Sequence, residues 1–70
     1  MLIIRTSNLT GKNNMREIPI DHARYVGYLE RRKLGTARLI QDEFPDLSRD
    51  DREFILTGTT PEEWDAAFKE

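Results

Sequence analysis

The stretch "ILTGTTPEEW", residues 55 to 64, constrains the chain more tightly than any other. Gly58 fits the left-handed position that ends one helix, Thr60 fits the cap of the next, Pro61 fits its first turn, and Glu63 completes a Thr-x-x-Glu capping box. Two helices are therefore expected to meet at a corner only a few residues long. Trp64, Ala67 and Phe68 then share one face of the second helix, and the short link predicts that this face turns back on Phe54 and Ile55.

Upstream signals complete the fold. Leu2 to Ser7 and Met15 to Ile20 are aliphatic-rich, and Asn8, Thr10, Gly11, Asn13 and Asn14 between them are turn formers, which predicts a β-hairpin. Leu2 and Ile4 fall on one face by the two-residue period, as do Ile18 and Ile20, and Ile4 and Ile18 are expected to feed the core. Asp21 can cap a helix carrying Tyr25, Val26, Tyr28 and Leu29 and ending near Gly35. Gly27 within it implies either a close neighbour or a weak helix. Thr36 can cap a short helix with a Leu39, Ile40 and Phe44 stripe, stopped by Pro45. Ser48 can start the next, with Asp50 and Asp51 where the helix dipole favours negative charge. The expectation is one α+β domain, with a hairpin at 1–20 packed on three to four short helices within 21–70. Its expected centre is Trp64, Phe68, Phe54, Ile55, Phe44 and Ile40.

A 70-residue chain can bury only ~60% of its unfolded surface, so partners can contribute much of its stability. It contains no cysteine, which removes disulfides, thiolate metal sites and thiol nucleophiles, and favours a cytoplasmic setting. Met1-Leu2-Ile3-Ile4 runs straight into Arg5, Thr6, Ser7 and Asn8, unlike a secretion signal, and no apolar run approaches the roughly 18 residues of a membrane span. An intact, soluble protein with no membrane partner is expected.

The net charge of −2 hides a lopsided distribution. Residues 1–40 hold eight Lys/Arg against three acids, and residues 41–70 hold three against ten. Two candidate surfaces follow. Lys12, Arg16, Arg24, Arg31, Arg32 and Lys33 could contact nucleic acid, with Tyr25 and Tyr28 to stack on bases. Asp42, Glu43, Asp46, Glu53 and Asp65 could form an acidic surface docking on a basic protein. The plainer alternatives are that the two sets pair with each other, that the tyrosines are core, and that Asp50, Asp51, Glu62 and Glu63 merely serve helix starts. The last helix is too acidic to enter a DNA groove as a recognition helix.

Catalysis finds no constellation. His22 is the single histidine and reads as a first-turn surface residue, and neither a Gly-x-Ser-x-Gly elbow nor a His-Glu-x-x-His pair is present. "TGKNN", residues 10 to 14, lacks the first glycine of a phosphate loop, whose place Thr6 holds. Asp42, Asp46 and Asp50 lack the calcium-loop pattern, and a glycosylation role for Asn8-Leu9-Thr10 would need secretion. A non-enzymatic chain with no metal and no cofactor is expected.

The run "IQDEFPDLSRDDREFILTGTTPEEWDAAF", residues 40 to 68, together with "LTGKNNM" in the hairpin, resembles a group of small bacteriophage and mobile-element proteins. Their shared string is Gln-Asp…Phe-Pro-x-Leu-Ser…Arg-Glu-Phe…Thr-Gly-x-Thr-Pro-Glu-Glu-Trp. The resemblance implies a viral or mobile-element accessory protein whose partner is a host protein, and it carries over no catalytic residue. From residues and resemblance together, the expected function is protein docking through a charged surface, and the alternative is a small nucleic-acid-binding module.

Overall fold

In the computed structural model, which describes residues 1–68, β1 (Leu2–Thr6) pairs antiparallel with β2 (Asn13–Glu17). Leu2 lies opposite Glu17, Ile3 opposite Arg16, Ile4 opposite Met15, and Arg5 opposite Asn14. The connecting turn closes on Ser7, whose hydroxyl accepts from the Leu9 and Thr10 amides at 3.1 and 3.2 Å.

Helix α1 (His22–Leu34) starts where the Asp21 carboxylate accepts from the Arg24 amide at 2.7 Å, and stops at Gly35 in the left-handed region. Helix α2 is a single turn (Ile40–Glu43). Thr36 does not cap it: Leu39 occupies that position without a side-chain bond, and the Thr36 hydroxyl instead lies 3.4 Å from the Arg31 carbonyl, closing the end of α1. The residues between Gly35 and Ile40 complete α1 rather than beginning α2, because the Thr36 and Ala37 amides both return to the Arg31 carbonyl. Helix α3 (Arg49–Thr57) is capped by Ser48 as expected and ends at Gly58 with φ 77°. Helix α4 (Pro61–Phe68) opens with the full capping box, the Glu63 amide donating to the Thr60 hydroxyl at 3.2 Å and the Thr60 amide to Glu63 Oε1 at 3.1 Å.

The core consists of Ile3, Ile18, Ile20, Tyr28, Phe44, Leu47, Phe54 and Ile55. Tyr28 meets Phe44 edge to face at 5.1 Å between centroids, an arrangement contributing about 0.5–1.5 kcal/mol beyond area burial. The hairpin, the α1 face and the 44–47 turn thus converge on Phe54 and Ile55. Ile40 packs on the rim of this cluster, and Leu39 is exposed.

Two expectations about the core are overturned. Trp64 and Phe68 are not at the centre: they are 38% and 70% exposed. The face of α3 that they were expected to cover is already closed by Ile3, Ile18 and Ile20 from the hairpin side and by Phe44 and Leu47. Within β1, Ile3 rather than Ile4 points inward, at 2% exposure against 62%. A run of three aliphatics has no alternation of its own, so the polar inner-face partners decide the register. Arg5 donates to the Ile55 carbonyl at 2.7 Å, Asn14 to the Gly58 carbonyl at 3.0 Å, and Arg16 to Asp51 at 2.7 Å, which turns Ile3 inward with them.

Among the glycines, Gly58 makes the closest approach. A Cβ there would stand 2.5 Å from the Thr6 carbonyl oxygen, whereas one on Gly35, at the same φ of 77°, would meet nothing within 4 Å. Gly35→Ala is therefore expected to lose only the ~1–2 kcal/mol of a left-handed alanine. Gly58→Ala should lose clearly more, because backbone must move, and urea melts of the two variants measure the difference. The strand register has its own test. Ile3→Asp should unfold the domain, at a cost above ~4 kcal/mol, while Ile4→Asp should shift stability by less than ~1 kcal/mol. Equal melting temperatures for these two variants would contradict the register.

Candidate functional site

The corner after α3 sets where α4 runs. Gly58 reverses the chain, Thr60 and Glu63 fix the helix start, and the eight-residue helix lies along the Arg49, Asp50 and Glu53 side of α3. Trp64 and Phe68, one helical turn apart, stack at 4.8 Å with their rings inclined by 30°. With Pro61, Asp65, Arg49, Asp50 and Glu53 they line an open groove of about 450 Å³. Trp64 also borders a smaller hollow of about 160 Å³ beside Leu9, Thr57 and Thr59.

Glu63 joins this corner to the hairpin loop. Its carboxylate accepts from the Thr10 hydroxyl, from Asn14 Nδ2 at 2.7 Å and from the Thr60 amide. These bonds, the Thr10 hydroxyl first, hold the Glu63 carboxyl below its ordinary range. Glu63 is thereby committed to structure.

The two charged surfaces expected from the sequence meet each other in part. Arg24 forks onto Asp46 at 2.8 and 2.5 Å and lies over the Phe44 ring at 4.9 Å. Arg31 forks onto Glu43 at 3.0 and 2.8 Å. Its guanidinium passes over Gly27, where a Cβ would stand 3.2 Å from Nη1, so the glycine has a close neighbour. Arg16 is bound to Asp51. Hydrogen bonds from Arg24 are the leading cause that lowers the Asp46 carboxyl to about 2, and the Arg31 fork lowers Glu43. Tyr28 is buried and Tyr25 packs on the core rim.

What remains of the acidic set separates. Asp42 is exposed on α2, and Glu53 and Asp65 are brought together with Asp50 at the groove. Among the described residues, none of Asp50, Glu53 and Asp65 is in an ion pair. What remains of the basic set is also divided. Lys12 lies beside Glu62 and Glu63 in a shallow hollow, and Arg32 and Lys33 are exposed at the end of α1. The groove was not foreseen because its aromatics were assigned to the core. The available signal was the helix itself: two turns with one apolar i, i+4 pair among acids can present that pair as readily as bury it.

Among the described residues no three His, Asp or Glu side chains converge as a metal site would, and no helix is long and apolar enough to cross a membrane. His22 is exposed in the first turn of α1. No protein-family model, no curated protein and no solved structure matches the chain.

The buttressing carboxylates predict the acid limb of stability. Groups whose folded pKa is depressed stabilise the fold above their ordinary pKa and lose that contribution as pH falls toward the folded value. For Asp46 the loss runs from 3.8 down to about 2, and for Glu43 and Glu63 it begins below 4.5. Melting temperature should therefore fall as pH is lowered through this window. Asp46→Asn should start lower at neutral pH and show a shallower decline, and an unchanged slope would exclude the Arg24–Asp46 pair as a contributor.

Proposed function

We propose that this chain is a non-enzymatic interaction protein that docks on another protein through the α3–α4 groove. The observation that carries the proposal is the exposed Trp64–Phe68 stack beside Asp50, Glu53 and Asp65, three carboxylates without an ion pair among the described residues that outnumber Arg49, the cation of the same lining. An aromatic pair already stacked on a capped helix has few side-chain torsions left to order when covered, and tryptophan anchors of this kind dominate interface energetics. Carboxylates at the groove edge would receive lysine or arginine, setting orientation and association rate more than affinity. The partner is thus a protein presenting cations beside an apolar side chain. If the resemblance to bacteriophage and mobile-element proteins reflects descent, that partner is a host protein met in the host cytoplasm.

A nucleic-acid module built on the first half is less well supported. Arg16, Arg24 and Arg31 would have to leave Asp51, Asp46 and Glu43 to reach phosphates. Freeing each cation would also strand its carboxylate, which would repel the same phosphate backbone.

The test is capture from a host lysate with nuclease present. Wild-type chain should retain a protein partner, and Trp64→Ala should weaken binding by roughly 30-fold, the equivalent of ~2 kcal/mol at an aromatic hot spot. Circular dichroism should show Trp64→Ala still folded, since the side chain fills no core position. Binding that nuclease abolishes, or that survives unchanged in Trp64→Ala, would overturn the proposal.

A further inference from the structure

The chemistry expected of a partner for the groove, cations set beside an exposed apolar side chain, is present on the chain itself. At the end of α1 and in its link to α2, Arg32, Lys33 and Arg38 are exposed together with Leu34 at 76% and Leu39 at 65%. The Gly35 and Thr36 amides return to the Arg32 and Arg31 carbonyls, at 3.2 and 2.8 Å, and fold the link back over the helix end. Arg32, Arg38 and Leu39 consequently border one hollow of about 450 Å³, with Tyr28 and Ile40 at its wall. Among the described residues none of Arg32, Lys33 and Arg38 is in an ion pair, in contrast to Arg16, Arg24 and Arg31.

We propose that the ledge formed by Arg32, Arg38 and Leu39 of one copy seats in the α3–α4 groove of a second copy. This rests on the groove being a docking site, as argued above, and names an occupant for it. Charge complementarity selects the occupant: Arg32 and Arg38 beside Leu39 face a groove in which Asp50, Glu53 and Asp65 outnumber Arg49, its one cation, beside two stacked aromatics. The hairpin's outer face, with Leu2, Ile4 and Met15, is also exposed, but its charge, Glu17, is closed on the Met1 amino group, so nothing there selects a partner.

Ledge and groove are different surfaces, so the contact is heterologous. Each copy that inserts its ledge keeps its own groove open, and association continues into a ring or an open chain according to the rotation between neighbours. Self-association also covers the groove, so a partner protein must compete with a second copy of the chain for the same site.

Sedimentation velocity of the full chain, prepared with nuclease, tests this. Sedimentation coefficient should rise with protein concentration over about 10–500 μM at low salt, and the rise should shrink at ~0.5 M salt because the pairing charges are exposed. Arg32→Glu/Arg38→Glu, which spoils the ledge, and Trp64→Ser, which spoils the groove, should each remain folded and weaken association at least about tenfold. A mixture of the two variants retains one good ledge and one good groove. It should form a dimer with one copy of each variant and nothing larger. A chain that stays monomeric at low salt, or variants that associate as the parent does, would overturn the self-contact. A monomeric chain that still captures a lysate protein through Trp64 would overturn the self-contact while leaving the groove a docking site for other proteins, which separates the two proposals.

Discussion

The fold depends on the contact between the end of α3 and the backbone of β1. A helix leaves its last carbonyls without partners, and burying them bare would cost ~1–3 kcal/mol each. Here the hairpin supplies donors. Arg5 bonds the Ile55 carbonyl, the Asn8 amide bonds that of Thr57, and Asn14 bonds that of Gly58. Only a residue without a side chain allows this approach, since any Cβ on Gly58 would collide with the Thr6 carbonyl. Once that contact is made, the inner face of the hairpin, the direction of α4 and the location of the groove all follow.

Electrostatics holds the helical part to itself. The basic first half and the acidic second half are cross-linked by Arg16–Asp51, Arg24–Asp46 and Arg31–Glu43, with both arginine forks bidentate. An exposed pair such as Arg24–Asp46 is individually weak, and its value lies in geometry. Arg24 ties α1 to the turn after α2 while lying over Phe44, and its second nitrogen also bonds the Glu43 carbonyl at 3.2 Å. The consequence for function is subtractive. Charges used in these pairs are not offered to a partner, which leaves Asp50, Glu53 and Asp65 at the groove and Arg32 and Arg38 at the ledge among those still unpaired within the described residues.

The exposure of Trp64 and Phe68 has a comparable origin. A domain of this size has room for one small core, and eight side chains from the hairpin, α1, the 44–47 turn and α3 fill it. Helix α4 is held by its cap, by Glu63, which accepts from Thr10 and Asn14, and by the covered part of Trp64, while Phe68 is 70% exposed. An aromatic stack left outside a closed core, on a helix anchored by polar bonds, is available to a partner without any rearrangement of the fold.

By itself the sequence determined what depends on residues near one another in the chain. The hairpin turn, the Asp21 and Ser48 caps, the left-handed glycines and the Thr60–Glu63 box are each specified by local chemistry, and the α+β class follows from their order. Phe44, Phe54 and Ile55 were legible as core because they lie on apolar faces of helices or beside them. Tertiary structure alone decided which aliphatic of Leu2-Ile3-Ile4 faces inward, which element covers Phe54 and Ile55, and which charges remain free. Those choices are competitions between residues far apart in the chain, as in the bonds of Arg5 to Ile55 and of Asn14 to Gly58. A capping motif is satisfied wherever its helix lies, but an apolar face has no preference among apolar partners until packing volume and buried polar groups exclude all but one.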